Sequence, residues 1–499
     1  MLKESEIHIP DILDCIANLS SDEIFTPPDV ANILLDQLPE DVWQNPDLRF
    51  LDPSCKTGVF LRECARRLLD GLKEVIPDEN ARREHVFKNM LFGLAITELT
   101  GMMSRRTLYY SKDASGENSV VKFDDPQGNI SFRRSEHSYK GGKCEICGSV
   151  YKDLERGEDF ENYAYEFIHQ KDVEKMKFDV IIGNPPYQIE DGGASRSASP
   201  IYQLFVNQAF RLKPRYVAMI IPSRWFAGGK GLDTFREQML ASKNFRVLAD
   251  YPNASELFPS VEIKGGVCYF LWDEKYDGPC EVTTFQNNEI GSVSSRFLGE
   301  HGDVFIRFNE ALPILEKVQK KAKTYVDELV GSRKPFGMPT NFTDFAKSKN
   351  KFTHDIYANG GKYLVDKRHV TANLQWVDKW KVLTSNGYGA GEGYPHQIIG
   401  VPIVAEPNSV CTETYIVCGA FDTEKEARNF EAYMRTRFFR FLVALRKNTQ
   451  HVTQSRFKFV PQVDLTKTWT DELLFKEFSI TKDEQIFITD IVREMRSEK

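Results

Sequence analysis

The chain has 499 residues, of which 41% are hydrophobic and 27% charged, with a formal net charge of −7 at pH 7. This length predicts two or three domains with their own cores, and the composition is ordinary for a globular protein. No apolar run is long enough to cross a membrane, no signal-peptide pattern opens the chain, and the nine cysteines are scattered, so we expect a cytoplasmic protein without a disulfide framework.

The first patterned segment begins with Phe25-Thr26-Pro27-Pro28, after a short leader. Thr26 is suited to an N-cap, with proline at the first helical position. Apolar residues then recur at helical spacing from Val30 to Leu38, which predicts an amphipathic helix. Taken alone, this pattern is equally consistent with a capped surface helix and with a ligand site.

The segment from Arg49 to Phe60 predicts a strand that ends at Asp52 and a turn that contains Gly58, followed by a helix from Leu61 to Leu72. A strand, a tight turn and a helix N-terminus bring backbone N–H groups close to a ligand. The next strand is predicted within Met90–Glu98, and a third strand is predicted to end near Gly128-Asn129-Ile130.

Residues 131–177 are too long for one strand connection and are interpreted as an insertion. They contain Cys144 and Cys147, which form half of a zinc knuckle, whereas a structural zinc ion needs four ligands. No second cysteine pair follows, and His137 and His169 would complete a Cys₂His₂ set only at a non-standard spacing. The prediction is an insertion with two free thiols and no metal, with zinc as the alternative.

Val180 to Ile182 predict a short buried strand, and Asn184-Pro185-Pro186-Tyr187 follow at its carboxyl end, where open α/β sheets bind ligands. Two prolines fix two φ angles and remove two backbone donors. The Asn184 side-chain oxygen and the Pro185 carbonyl would hold the two hydrogens of an exocyclic amine, while Tyr187 offers a stacking surface. This arrangement favours amine methylation through positioning and electrostatics. The alternative is a simple strand end.

This tetrapeptide after a hydrophobic strand resembles the catalytic motif of amino-methyltransferases that use S-adenosylmethionine. They include N6-adenine DNA methyltransferases and enzymes that modify a glutamine amide or a guanine amine of ribosomal RNA. Phe25-Thr26-Pro27 resembles the motif that lines the methionine end of the cofactor in DNA amino-methyltransferases. This motif lies upstream of the cofactor-binding turn, as in the group of these enzymes called gamma. The turn after Asp52 resembles the family pattern Asp-Pro-x-Cys-Gly-x-Gly-x-Phe, with Lys56 in place of the first glycine, a position where lysine takes a positive φ less freely.

The resemblance also implies which residues hold the cofactor. In the family, an acidic residue at the position of Ala95 binds the ribose hydroxyls of the cofactor. Glu98 is the nearest acidic residue that could replace it. The alternative is that Glu98 is a solvated glutamate at the start of a helix. Ser104-Arg105-Arg106 is interpreted as helix surface. The implied cofactor-binding residues are Phe25, Thr26, Pro27, Asp52, Pro53, Cys55, Gly58, Phe60, Glu98 and Asn129.

The polar loop Asp191–Ser199 is expected to close over a target base. Alternating helices and strands then continue to a final strand at Gly266–Trp272, which predicts a doubly wound α/β domain over residues 1–285.

From Gln286 onward the pattern is mixed, and Met434 to Val460 holds basic residues but no acidic ones, which predicts a phosphate-tracking face or, alternatively, a solvated helix side. These residues are Arg435, Arg437, Arg440, Arg446, Lys447, Arg456 and Lys458.

The sequence therefore predicts a Rossmann-like S-adenosylmethionine-dependent methyltransferase sheet followed by a mixed α+β target-recognition domain over residues 286–499. The predicted function is sequence-specific N6-adenine methylation of double-stranded DNA after base flipping, with a cognate restriction endonuclease as a further partner and no membrane partner. The alternatives are a fused restriction–modification enzyme with an unrecognised nuclease, an enzyme acting on RNA, protein or N4 of cytosine, and a DNA-binding module on a degenerate scaffold. Serine usually replaces Asn184 in cytosine enzymes, which favours adenine.

Overall fold

The computed structural model describes residues 24–149, 164–169, 177–189, 199–229, 231–259, 261, 263–389, 394–447 and 450–495. The chain forms two compact units, Met1–Glu300 and His301–Lys499. Among the described residues, no helix has the length and apolar character needed to cross a membrane. Most of the predicted loop Asp191–Ser199 lies outside the described residues.

The first unit contains thirteen strands and seven α-helices within the part of the chain that is described. The strands are β1 Phe50–Asp52, β2 Leu91–Leu94, β3 Ile130–Ser131, β4 Tyr139–Lys140, β5 Lys143–Cys144, β6 Val180–Gly183, β7 Gln188–Ile189, β8 Ser199–Pro200, β9 Tyr216–Pro222, β10 Phe245–Tyr251, β11 Val267–Asp273, β12 Cys280–Gln286 and β13 Glu289–Arg296. The helices are α1 Pro28–Leu35, α2 Val59–Gly71, α3 Glu79–His85, α4 Glu98–Tyr109, α5 Glu166–His169, α6 Tyr202–Arg211 and α7 Asp233–Ala241.

Nine of these strands form one sheet in the order β13-β12-β10-β11-β9-β6-β1-β2-β3. Strands β1, β2, β3, β6 and β9 are parallel, whereas β11 is antiparallel to both of its neighbours, β9 and β10. Strands β1 and β6 are buried on both faces, as expected for a parallel sheet covered by helices. This topology confirms the predicted Rossmann-like methyltransferase sheet.

Strand β1 lies at the point where the strand order reverses. The chain runs outward from β1 to β2 and β3, and then returns to place β6 on the other side of β1. Phe50 pairs with Val180 and Leu51 with Ile181, so the two strands end side by side. Ligands bind in the crevice at the carboxyl ends of strands at such a reversal. Asp52 and Asn184 therefore share one edge of the sheet although 132 positions separate them.

Helix α1 begins at Pro28, one residue later than an N-cap at Thr26 implies, and its N-cap Pro27 has no side-chain cap. The prediction of Thr26 as the N-cap is therefore wrong. Thr26 lies one residue too early for its hydroxyl to reach the free N–H groups of the first turn. Val30 and Leu34 are buried in the core of the first unit, as their spacing predicted.

The strand predicted to be the last of the sheet, β11, is followed by two more. Strand β12 pairs in parallel with β10, and β13 pairs antiparallel with β12. The first unit consequently ends at Glu300, fifteen residues later than the boundary expected at 285. The mixed pattern from Gln286 onward did not reveal β13, because an edge strand buries little of its length: apart from Arg296, β13 is largely exposed.

The second unit is a mixed α+β structure, as predicted. Its described strands form two three-stranded sheets, β15-β14-β18 and β17-β16-β19. The strands are β14 Thr353–Ala358, β15 Gly361–Asp366, β16 Trp380–Ser385, β17 Ile403–Ala405, β18 Ser409–Cys411 and β19 Tyr415–Phe421. The helices are α8 Ala311–Lys321, α9 Glu424–Arg435, α10 Arg437–Ala444, α11 Asp471–Glu477 and α12 Lys482–Ile491. Helices α9 and α10 pack their apolar faces into a core with α8 and α12.

Candidate active site

Asp52 lies at the carboxyl end of β1 and is almost completely buried. Its Oδ1 accepts a hydrogen bond of 3.0 Å from the Ser54 backbone N–H. Burial raises the pKa of the Asp52 carboxyl from 3.8 to about 7, against the opposing effects of the Ser54 hydrogen bond and the Lys56 charge. Gly183, at the end of β6, lies against this carboxylate: a Cβ at that position would lie 2.8 Å from Asp52 Oδ1. A cationic ligand would favour the ionised carboxylate.

The turn between β1 and α2 is shaped by Gly58 rather than by residue 56. Gly58 has a φ of +76° and precedes α2, whose N-terminus has no side-chain cap. A Cβ on Gly58 would lie 3.0 Å from Ser104 Cα, so only glycine allows α4 to approach the turn. Lys56 does not have a positive φ, which explains why lysine is tolerated in place of the family's first glycine. The Lys56 Nζ donates a 2.9 Å hydrogen bond to the Ile24 carbonyl.

Asn184 connects the segment after β6 with the segment before α1. Its Nδ2 donates to Thr26 Oγ1 at 3.1 Å and to the Ile24 carbonyl at 3.3 Å. Its backbone carbonyl accepts a 3.1 Å hydrogen bond from Ser54 Oγ, which links the turn after β1 to the same point. Because both amide hydrogens are directed toward oxygen atoms, the orientation of the side chain is fixed, and Oδ1 faces away from these partners.

Asn184 Oδ1 is buried and forms no hydrogen bond of normal geometry with any described residue. The Tyr187 hydroxyl also lacks a hydrogen bond of that geometry. Burial strongly raises the Tyr187 pKa, and the neighbouring Asn184 side chain opposes this rise. Pro185 and Pro186 are buried between them. A buried acceptor without a partner costs about 1–3 kcal/mol, so it is well suited to a ligand that donates hydrogen bonds.

A small pocket lies between these segments and brings together six of the predicted residues: Thr26, Asp52, Cys55, Gly58, Phe60 and Asn184. Phe25, Pro27 and Pro53 are next to these residues in sequence but are not among those that line it. Residues that the sequence analysis did not assign to the site also line the pocket: Ser54, Lys56, Thr57 and Val59. The sequence signal that could have assigned these four residues to the pocket was their position in the predicted turn between Asp52 and Phe60.

Glu98 and Asn129 do not join this pocket. Glu98 is exposed in the first turn of α4, whose N-cap is Thr97. Asn129 precedes β3 rather than ending it, and its Nδ2 donates to the carbonyls of Phe87 and Lys88. The predicted strand-end position of Asn129 is therefore wrong, because the strand begins at Ile130 and Asn129 lies at its amino end. The Asn129 side chain satisfies carbonyl groups that precede β2.

The interpretation of Ser104 and Arg105 as helix surface is also wrong. Ser104 is completely buried, and its hydroxyl donates to the Cys55 carbonyl and, at 3.2 Å, to the Lys56 carbonyl. Arg105 is buried and donates to the carbonyls of Lys112 and Ile130. Ser104 thus holds the turn after β1 from the α4 side. Gly101 and Ser104, two small residues on one face of α4, were the sequence signal for this close packing.

The predicted phosphate-tracking face between Met434 and Val460 is not an exposed basic surface. Arg440 is buried and donates to backbone carbonyls, including that of Gln397. Arg446 is buried and forms a bidentate ion pair with Asp303, at 2.6 and 3.0 Å. The sequence did not reveal that Asp303, distant in the chain, neutralises Arg446, or that backbone carbonyls bind the buried Arg440 guanidinium.

The other members of the set are engaged in similar ways. Arg435 forms an ion pair with Glu431, and Arg437 forms one with Glu494. Lys447 and Arg456 donate hydrogen bonds to backbone carbonyls. Lys458 shares the Asp303 carboxylate with Arg446. Of the predicted DNA-binding residues, only Lys458 is exposed, with 47% of its side chain accessible. We therefore do not retain this set as a DNA-binding surface.

A different basic surface lies around the hairpin of β14 and β15, which we call the β14–β15 basic face. Its exposed cations are Lys347, Lys349, Lys351, Lys362, Lys367 and Arg368. Lys349 and Lys362 flank Asp355 at 3.2 and 3.4 Å. Phe352 is 59% exposed beside them, and Tyr363 stacks on Phe345 with ring centroids 4.3 Å apart. The alternating lysines from Lys347 to Lys351 were the sequence signal, and the sequence analysis missed it.

Comparison with solved structures finds larger restriction enzymes. The nuclease-deletion mutant of the type ISP enzyme LlaGI, in complex with a DNA substrate mimic, matches 88% of this chain and 45% of its own, with 12% identity and a TM-score of 0.48. The type IIL enzyme MmeI, in complex with DNA, matches 86% of this chain and 63% of its own, with 14% identity and a TM-score of 0.44. The chain thus spans less than two thirds of the length of either protein.

The sequence comparisons are more specific. The profile of the Eco57I restriction-modification methylase family matches residues 89–258. A protein of Mycoplasma pneumoniae described as an uncharacterized adenine-specific methylase is 39% identical over a 305-residue alignment that covers 55% of this chain and 72% of the relative. These findings confirm the prediction of an N6-adenine methyltransferase of the restriction–modification type. The chain belongs to the Eco57I family of restriction–modification methylases.

Proposed function

We propose that this chain transfers a methyl group from S-adenosylmethionine to the N6 amino group of adenine within a specific sequence of double-stranded DNA. The observation that carries the proposal is the buried Asn184 Oδ1, which is held in one orientation by Thr26 and Ile24 and forms no hydrogen bond of normal geometry with any described residue. An amino group needs such an acceptor, and a pocket of suitable chemistry for the cofactor lies beside it.

The residues of the pocket fit S-adenosylmethionine. Asp52 offers a carboxylate to the ammonium group of the methionine part, and the uncapped N-terminus of α2 offers backbone N–H groups to its carboxylate. Thr26 contributes to the wall next to Asn184. When bound, the cofactor supplies an electrophilic methyl group on a sulfonium centre. Ser104 and Gly58 keep the turn in the shape that this binding requires.

Asn184 and Pro185 would orient the amine. The lone pair of an exocyclic amine is delocalised into the ring, and two acceptors that each hold one N–H hydrogen favour a nitrogen whose lone pair points at the methyl donor. As this nitrogen gains positive charge, its hydrogen bonds to Asn184 Oδ1 and the Pro185 carbonyl become charge-assisted and strengthen. The acceptors thus stabilise the transition state more than the ground state.

Tyr187 would stack on the extruded adenine. Its side chain is 8% exposed, so stacking requires displacement of the groups that cover it. The segment next to Tyr187 is anchored on one side by the hydrogen bond from the Ile201 N–H to the Tyr187 carbonyl. The short antiparallel pair β7–β8 follows directly after Tyr187.

The second unit would recognise the target DNA, and the β14–β15 basic face would contact its phosphates. Exposed lysines on a local surface attract DNA even in a chain of net charge −7. Base readout would depend on other side chains of this unit. Because the family is one of restriction–modification methylases, an endonuclease that cuts the same sequence would be the functional partner.

The test is methyl transfer from labelled S-adenosylmethionine to mixed-sequence DNA, with the product digested to nucleosides and identified by mass. We expect N6-methyladenine with the wild-type chain and none with Asn184→Ala, which should still bind the cofactor. An N4-methylcytosine product would contradict the proposed pocket. Transfer to RNA or protein but not to DNA would contradict the substrate, and full activity of Asn184→Ala would contradict the mechanism.

A further inference from the structure

The insertion before β6 brings four potential metal ligands together. They are His137, Cys144, Cys147 and His169, and one ligand atom of each lies within 4.8 Å of the corresponding atoms of the others. Cys144 Sγ is 3.7 Å from His169 Nε2, and Cys147 Sγ is 3.4 Å from His137 Nδ1. His169 is 25 positions from Cys144, so the cluster depends on the fold of the insertion rather than on local sequence.

These distances match the geometry of a single tetrahedral ion. With the usual Zn–S and Zn–N bond lengths of about 2.3 and 2.0 Å, a sulfur and a nitrogen ligand are about 3.5 Å apart. Both measured Sγ–N distances lie close to this value. Tetrahedral sites of two sulfurs and two nitrogens are typical of zinc, and a closed set of four protein ligands is typical of a structural rather than a catalytic site.

The backbone around the cysteines forms a tight turn that presents both sulfurs on one side. Cys144 ends the hairpin β4–β5, the Gly148 N–H donates to the Cys144 carbonyl at 3.0 Å, and the Cys144 N–H donates to the Ser149 carbonyl at 2.8 Å. Gly148 has a φ of +74°, which a residue with a side chain would adopt only with strain. The Cys-x-x-Cys-Gly segment is therefore shaped as a metal-binding turn.

The histidines are also prepared for metal binding. His169 Nδ1 lies 2.9 Å from the Tyr165 carbonyl, which can only accept a hydrogen bond, so Nδ1 carries the proton and Nε2 presents its lone pair toward Cys144. This second hydrogen bond is the usual way in which a protein orients a metal-bound histidine. His137 Nδ1 lies near both Cys147 Sγ and Ser149 Oγ, at 3.4 and 3.3 Å.

We propose that His137, Cys144, Cys147 and His169 bind one structural Zn²⁺ ion. The ion would join the hairpin β4–β5 to helix α5, which carries His169. Helix α5 packs on α6 through the stacked rings of Phe167 and Phe205, 5.7 Å apart. Helix α6 begins shortly after the segment that follows Asn184 and Tyr187. The metal therefore stabilises a part of the chain that supports the proposed active site, without entering the chemistry.

The experiment measures zinc in the full-length chain, purified without an affinity tag or chelator. We expect about one zinc per chain by elemental analysis, consistent with a single closed site. The double variant Cys144→Ser/Cys147→Ser should lose the metal, whereas Cys280→Ala, which removes a buried thiol of the same unit in strand β12, should keep it. In thermal unfolding, a strong chelator should lower the Tm of the wild type and of Cys280→Ala, but not that of the double variant.

A spectroscopic measurement on the wild type keeps the proposal testable if the double variant does not fold. Cobalt added to the zinc-depleted chain should give a thiolate-to-cobalt charge-transfer band and the intense ligand-field bands of tetrahedral coordination, and added zinc should abolish both. Absence of zinc from the purified chain together with no such cobalt spectrum would overturn the proposal. Retention of one zinc per chain by the double variant would overturn it as well.

Discussion

Thr26 provides the most specific test of how the candidate site is built. Its hydroxyl accepts the 3.1 Å hydrogen bond from Asn184 Nδ2, and Thr26→Val removes this acceptor while keeping the shape of the side chain. Only the longer contact to the Ile24 carbonyl, at 3.3 Å, would remain to orient the amide. Loss of one hydrogen bond to a buried polar group costs about 1–3 kcal/mol.

We expect this cost to reduce the population of correctly oriented Asn184, and hence kcat. A loss of about 1.4 kcal/mol corresponds to about a tenfold decrease in rate. The assay is single-turnover methyl transfer with saturating cofactor and DNA, together with the Kd for S-adenosylmethionine, which should change by less than about threefold because Asp52 and the α2 N-terminus are unaltered.

Thr26→Ser is the matched control, because it keeps the hydroxyl and removes only a methyl group. It should retain a rate within about threefold of the wild type. The reasoning would be refuted if Thr26→Val kept the wild-type rate, or if Thr26→Ser lost as much activity as Thr26→Val. A large loss of cofactor binding in Thr26→Val would instead mean that Thr26 acts mainly through the pocket wall.

Further predictions concern the remaining parts of the site and the DNA surface. Asn184→Ala should lower kcat by about 10²–10³-fold with unchanged cofactor Kd, because it removes one preorganised acceptor; an equal loss of cofactor binding would contradict this. The folded-state pKa of Asp52, about 7, lies above its ordinary 3.8, so the carboxyl ionises only as the pH approaches 7. Cofactor affinity should therefore rise about fivefold between pH 6 and 7, and Asp52→Asn should abolish this dependence. Over the range from pH 3.8 to about 7 the unliganded fold should lose stability as the pH rises, since the folded state holds the Asp52 proton more tightly than the unfolded chain. Ser104→Ala should lower the free energy of unfolding by about 1–3 kcal/mol in urea titrations, because two carbonyls lose their donor. Lys349→Gln/Lys351→Gln should reduce the slope of log K against log salt for DNA by about 2, whereas Lys482→Gln, outside the β14–β15 basic face, should not.

Local sequence patterns determined much of the first unit. The strands that end at Asp52 and near Asn184 were predicted because buried parallel strands are short apolar runs, which are visible without knowledge of their neighbours. The helix after Gly58 was predicted from its place after a strand and a Gly-containing turn, and the structure has it at Val59–Gly71. The reaction class followed from the order of acceptors and rings in Asn184-Pro185-Pro186-Tyr187, since these properties belong to the residues themselves.

Other features depend on contacts between residues that are far apart in the chain. The hydrogen bond that orients Asn184 is accepted by the Thr26 hydroxyl, 158 positions away, and no periodicity encodes it. Ser104 resembled helix surface because its partners are backbone carbonyls, which carry no signal in the sequence. The Cys₂His₂ cluster was recognisable only in part, because the spacing of His137 and His169 has meaning only once the insertion has folded.

The basic residues of the second unit illustrate the same limit for charge. The sequence alone determined that Arg440 and Arg446 are cations, but only the tertiary structure decided whether their charge faces solvent. Both are buried, and Asp303, 143 positions from Arg446, neutralises one of them. The free energy of a charge depends on its distance from partners and from water, and both are set by the fold. Local sequence thus determined the strands, the helices and the kind of chemistry, whereas the folded structure decided which polar groups meet and which remain available to a ligand.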